Sequence, residues 1–302
     1  MQTQHDQIWG RPASRGQEND QSEKFDPKAF ALELRDAIQK NQIKLPTLPA
    51  LSLEALLVVN DAGSCMADVA KVITKDTSMA ARLVRYANSP LYRGTRNVAS
   101  VKAAITRIGI DAVRHAILSL AMRDVFTTAI KSIQVRMEAL WRHSVSVASK
   151  AALLCEHFPH LNRDEAMLAG LIHDVGAIPI LLKAKDHQLL LDDEKKLDKV
   201  VYALHMSVGK FMLTLWNFDP AMIDVAATHD KLDRDPPGEQ VDYVDLVQVA
   251  NVLSHQQHES HRYGKMDPHT IPAFQRVGID LIEAFMQRAA GEDESHISAA
   301  LH

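Results

Sequence analysis

Apolar residues recur along most of this chain at steps of three and four, the period of helices that bury one side. Phe30, Leu34, Ala37 and Ile38 mark the first such face, and Asp26-Pro27 ahead of them reads as a cap followed by proline at the first helical position. Beyond the rigid connector Leu45-Pro46-Thr47-Leu48-Pro49 come Leu53, Leu56 and Leu57, then the stripe Met66, Val69, Ala70 and Ile73. Asp76 is placed to cap a helix carrying Met79, Leu83 and Ala87, which stops at Asn88-Ser89-Pro90. Ser100 caps a short helix closed by Gly109, and Asp111 opens a longer one through Ala116, Ile117, Leu120 and Val125.

Met137 to Cys155 forms the clearest amphipathic helix, with Leu140, Trp141, Ser144, Val147, Ala148, Ala151 and Ala152 on one face. Asn162, with Glu165 three residues later, predicts a reciprocal cap. The apolar run that follows ends at Gly176, expected in the left-handed position just past the helix. Further helices are predicted over 195–216, 220–229, 241–257 and 273–290. No segment alternates long enough to demand a strand, so the fold class is all-α.

Residues 1–24 are polar and aperiodic, which predicts a disordered tail. Thr127-Thr128 and Lys131-Ser132 interrupt the apolar pattern and suggest a seam at about 130–135. The expected organisation is a smaller helical subdomain over 25–132, a helical core over 133–257, and a linker and helix over 258–302.

Composition narrows the partners. At 46% hydrophobic and 24% charged, 302 residues suit a soluble protein with a sizeable core. The net charge of -4 removes the electrostatic basis for nucleic acid or an anionic membrane as main partner. Cys65 and Cys155, far apart among apolar helical residues, read as reduced core thiols. No apolar run reaches spanning length and no hydrophobic signal region opens the chain, so a cytoplasmic location is expected.

Candidate chemistry rests on the fifteen histidines. His5, His160, His187, His255, His258, His261, His269, His296 and His302 sit in polar contexts and are expected to face solvent. His143 differs: beside Trp141 and three residues after Leu140, it borders a buried face. His173-Asp174 closes an apolar run, and His205 and His229 lie on later helices. Imidazoles and a carboxylate converging from separate helices are how bundles build metal sites, whereas a lone histidine in such a place is ordinarily a hydrogen-bonded core residue. Spacing alone leaves both readings open. Ser144 lacks a nucleophile-elbow context and Gly209-Lys210 has no preceding glycine-rich loop.

The order Trp141-x-His143-Ser144, Gly170-Leu171-Ile172-His173-Asp174-Val175-Gly176, His205-x-x-Val208-Gly209, Leu215-Trp216 and His229 resembles the HD superfamily of metal-dependent phosphohydrolases. The front half resembles its HDOD branch, the HD-related output domain. That likeness rests on Leu45-Pro46-x-Leu48-Pro49, on the block from Lys75-Asp76-Thr77-Ser78-Met79 to Tyr86-Ala87-Asn88-Ser89-Pro90, and on Ala104-Ile105-x-x-Ile108-Gly109. It runs from about Lys44 to Leu253.

The resemblance implies an all-helical domain with an extra helical subdomain ahead of an HD-like core. It also implies bacterial signalling, through regulation or protein contacts more often than catalysis. On it, His143 stands at the first metal ligand, His173 and Asp174 at the signature pair, and His205 and His229 at the later histidines of the two-metal branch. Relatives that cut cyclic dinucleotides carry a lysine where Ala177 stands, a second histidine where Asp230 stands, and a Gly-Tyr-Pro motif absent from Lys231 to Pro237. Asn251 occupies the place of the final aspartate ligand. Losing the lysine removes a cation that steadies developing phosphate charge, so cyclic dinucleotide hydrolysis is not expected.

The expectation is a regulatory protein acting through protein or small-ligand binding. Its degenerate HD pocket could hold one or two divalent ions (iron, manganese, zinc or nickel) on His143, His173, Asp174, His205 and His229, with Asp230 and Asn251 as further candidates. A signalling protein is the expected partner, a nucleotide or phosphoester the expected ligand. The alternative is a metal-dependent phosphohydrolase. No receiver, kinase or cyclase segment is recognisable, so input is expected from a separate chain or a small ligand. Arg82, Arg85, Arg93 and Arg96 surround Asn88-Ser89-Pro90 as a basic rim, expected to be a solvated face with local ion pairs in preference to an anion or nucleotide site, and Tyr86 and Tyr92 are expected to pack the two helical parts together.

Overall fold

Local capping chemistry sets where the first helices begin. The computed structural model describes residues 26–40, 54, 55, 58, 65–89, 92, 96–236, 238–255, 263 and 266–289; the tail, the proline-rich connector, Arg93, His258 and His261 lie outside them. Helix α1 (Pro27–Gln39) starts where the Asp26 side chain accepts the Lys28 N–H, and it buries Phe30, Leu34, Ala37 and Ile38. Burying a side chain the size of Phe30 or Leu34 stabilises by about 2–3 kcal/mol, which ties this leading helix down. Helix α2 (Met66–Ile73) buries Val69, Val72 and Ile73, while Met66 is exposed. Cys65 is also exposed and is no core thiol: it precedes the apolar stripe, where its N–H and Sγ both face the Asp68 carboxylate. Cys155 is buried as expected.

Asp76 accepts the N–H groups of Ser78 and Met79 to begin α3 (Thr77–Asn88), and Ser100 accepts that of Ala103 to begin α4 (Val101–Ile108). Gly109 takes φ +90°, a conformation that favours glycine, and α5 (Ile110–Val125) follows at once.

Helix α6 (Lys131–Cys155) already includes Lys131, so the helical break precedes the anticipated seam. Next come α7 (Arg163–Ile172), α8 (Ala177–Ala184), the short α9 (Gln188–Leu191), α10 (Glu194–Leu215), α11 (Pro220–Thr228) and α12 (Tyr243–His255). The helix predicted over 273–290 is two, α13 (Pro272–Val277) and α14 (Ile279–Ala289), because Gly278 at φ +99° breaks it. Among the described residues there is no strand. The fold is all-α.

Helix α7 is the hub: it packs against α5, α6, α11 and α12. Its approach to α6 needs Gly170, where a Cβ would lie 2.4 Å from Ala148 Cα. Gly176 is not the left-handed residue expected; its φ of -67° and ψ of -16° are helical. Glycine is needed there for close packing, since a Cβ would meet the His205 carbonyl oxygen at 2.0 Å and Gly209 N at 2.3 Å.

One stretch of the described residues, Arg163–Ala184, is apolar and long enough by composition to cross a membrane, contrary to expectation. It spans α7 and α8, and 83% of its most apolar window is buried inside the fold.

Candidate metal centre

Four imidazoles and two carboxylates meet where α6, α7, α10 and α11 converge. His143 lies midway along α6, two residues from the buried Trp141. His173 is the residue just past α7, with Asp174 after it; His205 lies on α10, and His229 just past α11, followed by Asp230. All five primary candidates are therefore brought together. His173 and His229 are fully buried and His205 nearly so, whereas Asp174 and His143 keep 20% and 16% side-chain exposure.

The ligand-type atoms form two sets that share Asp174. In the first, His143 Nε2 and His173 Nε2 lie 3.2 Å apart, and Asp174 Oδ2 is 3.3 Å from His173 Nε2 and 3.8 Å from His143 Nε2. In the second, His205 Nε2 and His229 Nε2 lie 3.2 Å apart, with Asp174 Oδ1 3.5 and 3.2 Å from them. Asp174 thus turns a different oxygen to each set.

Backbone carbonyls choose the tautomers. The Nδ1–H of His173 donates to Gly170 O at 2.7 Å, that of His205 to Val201 O and Tyr202 O at 3.0 Å, and that of His229 to Val225 O at 3.1 Å. A carbonyl can only accept, so each Nδ1 carries a proton and each neutral ring turns an Nε2 lone pair inward. His205 and His229 therefore bring two acceptors face to face at 3.2 Å. Two lone pairs at that distance require a cation, either a proton on one ring or a metal ion between them. Donors bonded to one ion at about 2.1 Å lie about 3.0–3.4 Å apart, which is the spacing of most of these pairs. The donor set fits a divalent metal.

Protonation follows the same logic. Burial opposes ionisation of Asp174, but the facing imidazoles outweigh it and hold the carboxyl well below the usual range. Asp230 is likewise lowered, with His205 and His229 offsetting its burial. Burial dominates at His143 and His229 and pushes both down; at His173 and His205 it is offset by Asp174 and Asp230 together with the backbone carbonyls, and both rise. A metal requires both carboxylates ionised and the ligating rings neutral, so its binding would release any proton held on His173 or His205.

Asp230 joins the second set through Oδ2, 3.3 Å from His205 Nε2. Its Oδ1 accepts hydrogen bonds from Tyr263 OH and from Asn251 Nδ2, the latter at 3.4 Å. Asn251 thus supports a carboxylate, and its own Oδ1 is buried without a hydrogen-bond partner. His255 departs from the solvent-facing expectation: its ring stacks on His143 with centroids 4.5 Å apart and lies 5.8 Å from the ring of Tyr263. His255 was misread because the polar tract after it masks the fact that it ends α12. Tyr263 gave no sequence signal.

Polar contacts tie the front helices to α7. Tyr86, fully buried on α3, and Tyr92 both direct their hydroxyls to Asp164, in the first turn of α7, as expected of a packing junction. Asn162 caps α7 by accepting the N–H groups of Asp164 and Glu165. The reciprocal half of the predicted box is absent. Glu165 instead accepts the Tyr243 hydroxyl at 2.6 Å, and that hydroxyl accepts the Asn162 N–H at 2.9 Å. Arg82 pairs with Asp124 and donates to Leu120 O, so its ion pair joins α3 to α5 and is not the local one expected.

The architecture recurs in solved structures. A Shewanella amazonensis protein, provisionally named a metal-dependent phosphohydrolase, superposes with TM-score 0.76 at 24% identity, covering 91% of this chain and 99% of its own. An HDOD domain protein of unknown function from Geobacter sulfurreducens gives 0.67 at 25%, covering 89% and 97%. A Marinobacter aquaeolei protein, provisionally named for signal transduction, gives 0.64 at 18%, covering 91% of this chain and 66% of its own. No protein of curated function matches. The HDOD domain matches residues 45–232, most of the span from about Lys44 to Leu253 that the motifs suggested, and the chain belongs to the HDOD family.

Proposed function

We propose that this protein is a signal-transduction module that acts by binding, with a metal-loaded His/Asp centre as its ligand pocket. The observation that carries this reading is the pair of donor sets sharing Asp174, with three rings locked in the metal-ready tautomer. His143, His173 and Asp174 would hold one ion, and Asp174, His205 and His229 another. A bound ion there would supply a Lewis acid for a phosphate oxygen, which suits a nucleotide or phosphoester ligand. Histidine and carboxylate donors without thiolate suit iron, manganese, zinc or nickel. The exposed edges of His143 and Asp174 form the side from which a ligand enters.

Binding is favoured over turnover for an electrostatic reason. Among the described residues no lysine or arginine hydrogen-bonds or pairs with His143, His173, Asp174, His205 or His229, and Ala177, the first residue of α8, stands where the catalytic relatives carry a lysine. Phosphoryl transfer relies on such cations to stabilise developing charge. On this reading the protein works in the bacterial cytoplasm, with a signalling protein as partner. A second reading, a metal-dependent phosphohydrolase, is favoured by the carboxylate shared between two donor sets, the arrangement used in two-metal hydrolysis.

Elemental analysis of freshly purified protein beside Asp174→Ala tests the metal. One or more ions per chain, lost in the variant, is the expected result; metal-free protein that takes up none on addition of manganese, iron, zinc or nickel would sink the proposal. A phosphoester screen on the loaded protein then separates the readings. Turnover abolished by His173→Ala and Asp174→Ala would establish the hydrolase instead.

A further inference from the structure

We propose that a cavity along the first half of α10 is a binding site for a small anionic amphiphile, a molecule with an apolar body and one carboxylate, sulfonate or phosphate group. The site is separate from the metal centre, and the inference stands whether or not that centre binds metal.

The cavity has a volume of about 540 Å³, within the roughly 300–1,000 Å³ of ordinary small-molecule sites. One face of α10 forms most of its wall. Lys196, Val200, Ala203 and Leu204 follow one another at steps of four, three and one, which lines them up along the helix. Pro27, the first residue of α1, completes the apolar part of the lining. Val200 is buried, Leu204 half-buried, and Ala203 and Pro27 are exposed, so apolar surface is open to whatever enters. Alanine at 203 leaves the room; a large side chain there would fill it.

Charge is confined to one end. Lys195, Lys196 and Lys199 line the cavity within the first two turns of α10. Lys195 and Lys199 are one turn apart, a like-charge spacing that costs stability unless an anion lies between them. Neither pairs with a carboxylate among the described residues. The acids of the same stretch are engaged elsewhere or stand outside the lining. Asp192 accepts from Gln188 at 2.7 Å and Asp198 from Arg136 at 2.6 Å. Asp193, which does line the cavity, accepts the Lys196 N–H as the cap of α10 and lies 3.6 Å from Lys196 Nζ. Glu194 does not line it. Because Asp193 closes the helix terminus, the lysine side chains and not the backbone supply the positive charge.

A solvated lysine face needs no cavity, and a cavity for a neutral apolar molecule needs no lysines. Both together, on one face of one helix, fit a ligand that is apolar along its length and anionic at its end. Leu204 and His205 are successive residues, about 100° apart around the helix, so α10 serves this cavity on one side and the metal centre on another.

The test titrates the full-length protein with anilinonaphthalene sulfonate, whose fluorescence rises on leaving water, beside its neutral analogue phenylnaphthylamine. One saturable site for the anionic dye is expected, displaced by decanoate and weakened by salt. Ala203→Trp, which fills the cavity from an exposed position, should abolish uptake of both dyes with thermal unfolding unchanged. Lys195→Gln with Lys199→Gln should weaken the anionic dye about 2–30-fold, the loss of two exposed ion pairs, and leave the neutral dye unchanged. The lysine variant alters only exposed positions, so it decides the matter by itself should the tryptophan disturb the helix. No saturable uptake, uptake indifferent to Ala203→Trp, or equal loss of both dyes in the lysine variant overturns the inference. Binding to phosphatidylglycerol vesicles without displacement of the dye by decanoate would assign the lysines to a lipid surface and overturn it too.

Discussion

Replacing Gly176 with alanine would drive a methyl group into the backbone of the helix that carries His205. The new carbon would lie 2.0 Å from the His205 carbonyl oxygen, 2.3 Å from Gly209 N and 2.9 Å from Gly209 Cα. Ordinary contacts begin near 3.5 Å, so the overlap with the oxygen is about 1.5 Å, and backbone atoms cannot swing aside as a flexible side chain can. The loop before α8 and helix α10 must separate. Overpacking of this kind costs about 1–3 kcal/mol and occasionally more; backbone on both sides places Gly176→Ala at the upper end. The displaced group belongs to a metal-ligand candidate, so metal affinity should fall as well. Gly109→Ala is the control, because Gly109 has φ +90° and no atom within 4 Å of an added Cβ. Its cost is backbone strain alone, about 1–3 kcal/mol, with no displacement of a metal-ligand candidate. Urea unfolding of the two purified variants gives the comparison. A Gly176→Ala protein as stable as Gly109→Ala, with its metal content intact, would refute the close-approach account.

Three further outcomes follow from named contacts. Burial raises the Asp242 carboxyl, but the Arg234 guanidinium, the Asp245 N–H and Arg276 outweigh it and hold its pKa below the ordinary value. A depressed folded-state pKa contributes stability above the unfolded-state value of about 3.9 and loses it as pH falls through the folded-state value. Asp242→Asn should therefore lower the urea midpoint at pH 7 and converge on the parent protein in the acid range; equal deficits at both pH values would contradict the assignment. Tyr243→Phe removes both the 2.6 Å bond to Glu165 and the acceptor for Asn162 N–H, and should destabilise by about 1–3 kcal/mol in thermal or urea unfolding. Leu34→Ala, which hollows the fully buried face of α1, should cost about 2–5 kcal/mol; a negligible change would mean that α1 does not share the core.

The helix starts at Asp26, Asp76, Ser100 and Asn162 were legible because a cap is a contact between residues two or three apart. The helices of 194–215 and 220–228 were legible from period, whereas α8, α9 and the break at Gly278 were not. A short helix offers too few turns for periodicity, and a glycine's φ is not written in its neighbours. The candidate site was legible in its residue types and in its order along the chain. Its geometry was not. That His255 stacks on His143, that Tyr263 bonds Asp230, and that Tyr243 replaces half of a capping box all join residues 33 to 112 positions apart.

Local order along the chain thus decided the helical class, most helix boundaries and the set of imidazoles and carboxylates available to a metal. Which Nε2 lone pairs face one another, which oxygen of Asp174 or Asp230 each ring meets, and why residue 176 lacks a side chain were decided by the packing of α6, α7, α10 and α11. The physical reason is range. Capping and periodicity act within a turn or two of the backbone, whereas a metal-type cluster exists only once separate helices have brought their atoms to within about 3 Å of one another.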